Sequence, residues 1–136
     1  MPKTVECRTV SESIGVPRDE VCAFVRRPEN LPRWASGLAR SVREVGGEWL
    51  VESPAGPVRL RFAPENGFGV LDHSVTPSGG AAATVHVPMR VVANGQGSEV
   101  MLTLFRQPGM DDAAFDADTE WVRRDLRALR QLLENR

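Results

Sequence analysis

The sequence predicts an α+β fold in one domain over residues 1–136: six antiparallel strands, two short helices after the first of them, and a long C-terminal helix. Three observations predict it. Between Gly47 and Gln107, runs of alternating polarity are separated by Gly- and Pro-rich turns. From Phe115 to Leu133, apolar residues recur at steps of three and four. In the first third of the chain, Pro17 and Pro28 bracket a short run with helical spacing.

Residues 4–13 read as the first strand, with Val5, Cys7 and Thr9 on one face and Glu6, Arg8 and Glu12 on the other. Pro17 starts a helix whose first turn holds Asp19 and Glu20, where the helix dipole favours them. Val21, Phe24 and Val25 form its apolar side, and Pro28 stops it. A second short helix is expected over 28–35, ended by Ser36-Gly37. Strands follow over 47–53, 58–63, 68–76, 83–93 and 98–107. Asp111 or Asp112 caps the last helix, whose stripe is Phe115, Thr119, Val122, Leu126, Leu129 and Leu133.

Closing each hairpin at its turn gives a register. The first hairpin pairs Ser53 with Val58, Val51 with Leu60 and Trp49 with Phe62; the next pairs Val58 with His73 and Leu60 with Leu71. The third pairs Val75 with Val85, His73 with Val87 and Leu71 with Met89; the last pairs Val91 with Val100, Met89 with Leu102 and Val87 with Leu104. One face then collects the large apolar residues, and the long helix is its natural cover. The other face collects Glu52, Arg59, Arg61, Asp72, His86, Arg90 and Thr103. Ser53, His73 and Arg106 are the polar exceptions on the apolar face, and this register sets Ser53 and His73 roughly 9–10 Å apart, on opposite sides of a small ligand.

Composition narrows the function. Lys and Arg number 17 against 18 Asp and Glu, so there is no basic excess to neutralise nucleic-acid phosphates or to hold an anionic membrane. No apolar run approaches the roughly 20 residues of a membrane span, and the first residues lack a signal peptide's apolar stretch, so a cytoplasmic location is expected. Cys7 and Cys22 are read as reduced, buried small groups. With two Cys, two His and no CxxC spacing, no metal site and no cofactor are expected.

Ile14-Gly15-Val16-Pro17, then Val21, Phe24 and Val25, then Pro28-Glu29-Asn30-Leu31-Pro32-Arg33-Trp34 resembles the opening of the START-like SRPBCC superfamily. Gly69-Val70-Leu71-Asp72-His73 and Thr103-Leu104-Phe105-Arg106 resemble its bacterial polyketide cyclase/dehydrase-like branch. The resemblance spans nearly the whole chain. It implies a helix-grip fold, in which the sheet bends around the long helix and an apolar cavity lies between them. It implies no catalytic set: no cyclase's residues match one by one, and ring-hydroxylase metal ligands are missing.

The candidate site follows. His73 is a cavity imidazole that hydrogen-bonds a ligand or transfers a proton, or else a sheet-end histidine satisfied by water or a carboxylate such as Asp118. Arg106 anchors an anionic group, or it pairs with Asp112, Asp116 or Asp118. Trp34 and Trp49 line the pocket and stack on a ring, or Trp34 is plain core packing, while Trp121 packs at the helix edge. Leu60, Phe62, Leu71, Val87, Met89, Leu102, Leu104 and Val122 serve as core and cavity wall together, with Ser53 orienting a polar group. The function expected is binding of a hydrophobic or aromatic small molecule, lipid or polyketide-like, by a monomer or homodimer. The alternatives are a cyclase or dehydratase with His73 as general acid/base, and a protein-interaction module of toxin or co-chaperone type.

Overall fold

The computed structural model describes residues 2–35, 39–54, 56–78 and 83–136. Strand β1 (Cys7–Ile14) leads to helix α1 (Arg18–Val25), a 3-10 turn (Pro28–Asn30) and the single-turn helix α2 (Leu31–Trp34). Strands β2 (Ser41–Val45), β3 (Glu48–Ser53), β4 (Gly56–Phe62), β5 (His73–Pro77), β6 (Val85–Val87), β7 (Met89–Asn94) and β8 (Gly97–Phe105) precede helix α3 (Asp112–Glu134). All strand pairs are antiparallel, in the orders β1-β8-β7 and β2-β3-β4-β5-β6.

The α+β class, the short helices and the long final helix are as the sequence predicts. Among the described residues the strands number eight rather than six for two reasons. First, β2 had no counterpart in the sequence reading. It is an edge strand with four of its five residues exposed, so it has no apolar face to betray it, though Gly46 and Gly47, at φ +58° and +82°, make a tight turn into β3. Second, the run expected as one strand over 83–93 breaks at Pro88, which has no N–H for a ladder. The partner run breaks at the same level, at Asp72, whose carboxylate accepts the Met89 N–H at 2.9 Å in place of a ladder carbonyl. Beyond the break the chains pair again: Leu71 donates to Met89, and Val91 donates to Gly69. The two sheets thus meet at a seam formed by residues 69–72 and β7.

Residues 63–72, partly expected as strand, form a loop tied by Asn66. Its amide nitrogen donates to the Pro64 and Val70 carbonyls, and its oxygen accepts from the N–H of Phe68 and Val70. A side chain that meets backbone groups in this way competes with a ladder.

The third and last hairpins hold the expected register, with His73 opposite Val87 and Met89 opposite Leu102. The first slips by two residues, to Trp49 opposite Leu60, because the turn is tighter and closes at Ser53 and Gly56. The second slips by four, to Phe62 opposite His73, because the loop takes up the preceding residues. Even slips keep every side chain on its face. Val51, Val58, Leu60, Leu71, Met89, Val91, Val100 and Leu102 are accordingly buried, and Arg59, Arg61, His86 and Arg90 are exposed.

Helix α3 lays Phe115, Thr119, Leu126, Leu129 and Leu133 on this core. Asp111 caps it, accepting from the Ala114 N–H at 2.8 Å. The inward face of β1 is Arg8, Val10, Glu12 and Ile14, and its two charges are met from α3: Arg8 by Asp116 at 2.6 Å, and Glu12 by Arg130 at 3.1 Å. Cys22 is buried as expected, whereas Cys7 is exposed, because it lies on the outward parity of β1.

Candidate functional site

Between the inner face of the sheet and the middle of α3 lies a cavity of about 300 Å³. Trp34 and Leu31 of α2 form one end. Leu60, Phe62, Val75, Val85 and Val87 form the sheet side with Leu102 and Leu104, and Asp118, Trp121, Val122, Asp125 and Leu126 form the helix side. The helical repeat places 118, 122 and 125 on one face of α3, and strand alternation places 60 and 62 on one face of β4. At protein packing density this space holds about 220 Å³ of ligand, the bulk of a molecule with two or three rings.

His73 is the polar residue of the sheet wall. It opens β5, opposite Phe62 and Val87. Its ring packs against Phe62 with centroids 5.1 Å apart. Its Nδ1–H donates to the Leu71 carbonyl at 3.0 Å. In the neutral ring that bond makes Nε2 an acceptor. Burial pushes the His73 pKa below its ordinary 6.5, and the Leu71 carbonyl and the Asp72 charge offset only part of this. Neutral imidazole is therefore the favoured form.

Trp34 is 4% exposed, and its indole N–H is buried without a partner. A donor left in this state costs about 1–3 kcal/mol. Across the cavity, Trp121 is exposed, with the Arg124 guanidinium 5.3 Å from its ring centroid. Burial raises the Asp118 carboxyl above its ordinary range, and no hydrogen bond or ion pair engages it among the described residues. Among the described residues no cluster of three His, Cys, Asp or Glu is placed to hold a metal ion. No helix among the described residues is long and apolar enough to cross a membrane.

Of the residues singled out from sequence, the cavity brings together Trp34, Leu60, Phe62, His73, Val87, Leu102, Leu104 and Val122. Five lie elsewhere. Leu71 and Met89 are sealed in the core at the seam, 2% and 0% exposed. Trp49 lines a separate polar groove with Arg26, Arg59 and Arg61. Ser53 donates to the Gly56 carbonyl within its own turn. Since Ser53 pairs with Gly56 and His73 with Phe62, the two stand at opposite ends of β4, about 20 Å apart along the strand, and do not flank one ligand. Arg106 takes the ion-pair alternative, bonding Asp112 at 2.6 Å and Glu6 at 3.0 Å, while its Nε–H donates to the Met110 carbonyl.

Asp125 was missed as a cavity residue. It lies one turn beyond Trp121 and seven residues after Asp118, a spacing that puts both carboxylates beside the apolar stripe.

No family model and no curated protein matches the sequence. Solved structures do match the fold. An uncharacterised protein of Bacillus thuringiensis superposes with a TM-score of 0.73 at 17% identity, over 93% of this chain and 98% of that one. Ara h 8.0201 does so with 0.71 at 15% identity, over 98% and 100%. The Aha1 protein of Colwellia psychrerythraea, solved as a dimer, does so with 0.72 at 12% identity, over 95% and 96%. The chain shares the fold of these structures, the helix-grip architecture that the sequence resemblance implies.

Proposed function

We propose that this protein binds a small hydrophobic or aromatic molecule in the cavity between the sheet and α3. The observation that carries the proposal is the lining: an apolar cavity of about 300 Å³ with a few polar groups set among its walls. The walls supply affinity by burying the ligand's apolar surface, and His73 Nε2 orients it. The unpartnered Trp34 N–H has a hydrogen bond to gain from a ligand oxygen. The test is native mass spectrometry of protein purified from its source, followed by displacement. A co-purified molecule that Val122→Trp excludes supports binding in the cavity, and consistently empty spectra together with no uptake from a panel of two- and three-ring compounds refute it.

One observation favours a second reading, proton transfer by His73: its tautomer is fixed by Leu71, and the free nitrogen is basic. If the bound molecule is converted, His73→Gln should slow conversion at least a hundredfold while changing affinity only a few-fold. An equal effect on both would leave His73 a binding residue.

A further inference from the structure

The charge pattern of the cavity specifies the ligand more narrowly than apolarity does. Among the described residues its lining includes no Lys or Arg, and its formal charges are the two carboxylates of α3, Asp118 and Asp125. The three arginines nearest in sequence to this stretch point elsewhere or stay at the rim: Arg123 pairs with Glu120, Arg124 lies over Trp121, and Arg127 turns back to the Arg123 carbonyl. Arg8 and Arg106, the cations at the start of the helix, are held by Asp116 and by Asp112 with Glu6.

The sheet side adds an acceptor. His73 has spent its one N–H on Leu71, so the nitrogen left over accepts. The indole N–H groups of Trp34 and Trp121 are the lining's side-chain donors, and both are neutral. An anionic ligand entering this space would lose its hydration and meet the Asp118 carboxylate, with no Lys or Arg among the described lining residues to replace that hydration. A hydroxyl or amine would find a lone pair at His73 and a carboxylate at Asp118.

We propose that the cavity selects aromatic or alicyclic molecules carrying a hydrogen-bond donor, amines above alcohols, and rejects carboxylates, with Asp118 at the rim as the discriminating residue. This deepens the cavity-binding reading and rests on it. Asp118 suits the role because it is exposed at the opening yet partly desolvated and unpaired, so an arriving ammonium has no resident partner to displace. A fatty acid or an aromatic acid, otherwise a natural occupant of an apolar cavity, is excluded by the same group.

Three probes of one shape test it: naphthylmethylamine, naphthylmethanol and naphthoate, titrated calorimetrically near neutral pH, with the indole N–H resonance of Trp34 followed by NMR. The amine should bind at least about tenfold more tightly than naphthoate, with the alcohol between them. Asp118→Asn should erase the amine's advantage over the alcohol and leave the alcohol within about twofold of its original affinity. Val122→Trp should abolish binding of both. Naphthoate binding as tightly as the amine, an amine advantage that survives Asp118→Asn, or amine binding that survives Val122→Trp would each overturn the selectivity, while alcohol uptake that moves the Trp34 resonance would leave the cavity reading standing. If none of the three binds, the selectivity falls, and the cavity reading falls with it only if the native spectra are also empty and the wider panel is not taken up.

Discussion

Arg90 grips Asp72 with two parallel bonds, Nε to Oδ1 and one terminal nitrogen to Oδ2, each 2.8 Å long. Because Oδ1 also accepts the Met89 N–H, one carboxylate joins the seam of the two sheets at the point where Pro88 interrupts them. The Arg90 hydrogen bonds hold Asp72 below its ordinary 3.8, with smaller help from the Met89 N–H and the guanidinium charge, against a desolvation that raises it. A carboxylate with a depressed folded pKa stabilises above its unfolded pKa, and that stability is lost as pH falls through the folded value. Both side chains are more than a third exposed, so the pair is screened and Asp72→Asn should cost only about 1–2 kcal/mol at neutral pH. Urea melts of both proteins from neutral to acid pH should show the gap closing on the acid side; a constant gap would mean that the charge is not what holds the seam.

His73 should titrate below 6.5 in the folded protein, readable from its ring C–H resonance. The unfolded histidine takes up its proton near that ordinary value while the folded one resists. The contribution is therefore complete above about 6.5 and is lost as pH falls towards the folded pKa. His73→Phe should remove this part of the acid dependence, and a resonance midpoint above 6.5 would contradict the burial argument.

Gly69 and Gly95 both have positive φ, +75° and +60°, but they face different surroundings. A Cβ on Gly69 would collide with the Val91 carbonyl oxygen, whereas one on Gly95 meets nothing within 4 Å. Gly95→Ala should therefore cost only the left-handed strain, about 1–2 kcal/mol. Gly69→Ala adds a backbone collision at the seam and should cost about 3 kcal/mol or more, or prevent folding. Equal melting temperatures for the two variants would argue against the close approach.

Leu129 and Val122 share the stripe of α3 but not its packing. Leu129 is fully buried outside the cavity, so Leu129→Ala should cost about 2–5 kcal/mol. Val122 borders open space and has fewer contacts to lose, so Val122→Ala should cost less than about 1 kcal/mol. Chemical denaturation measures both, and a Val122 cost as large as that of Leu129 would mean that the cavity is filled.

Most of the architecture could be read from alternation and turns, because a half-buried strand must keep its apolar residues on one parity. That rule survived even where the pairing did not: Leu60 faces inward whether it lies opposite Val51 or, as observed, Trp49. What alternation could not supply was translation along the strand. Asn66, which organises the loop before β5, looks like any turn residue in the sequence, yet it moved His73 four positions relative to β4 and so separated it from Ser53. Asp118 was visible as a helix carboxylate and as an alternative partner for His73 or Arg106, not as a cavity group. Its place at the cavity depends on how α3 is rotated against the sheet, which the stripe fixes only to within a residue or two.

Strand β1 pairs along its whole length with β8, and the far end of α3 returns to the same region, where the Glu134 carboxylate accepts the Gly15 N–H across 119 residues of chain. During synthesis, β1 therefore emerges from the ribosome long before its partner exists. Its inward Val10 and Ile14 stay uncovered until β8 and α3 have followed. The native sheet can close only after β8 and α3 have been made, and a fragment ending before β8 would present an unpaired edge to other chains.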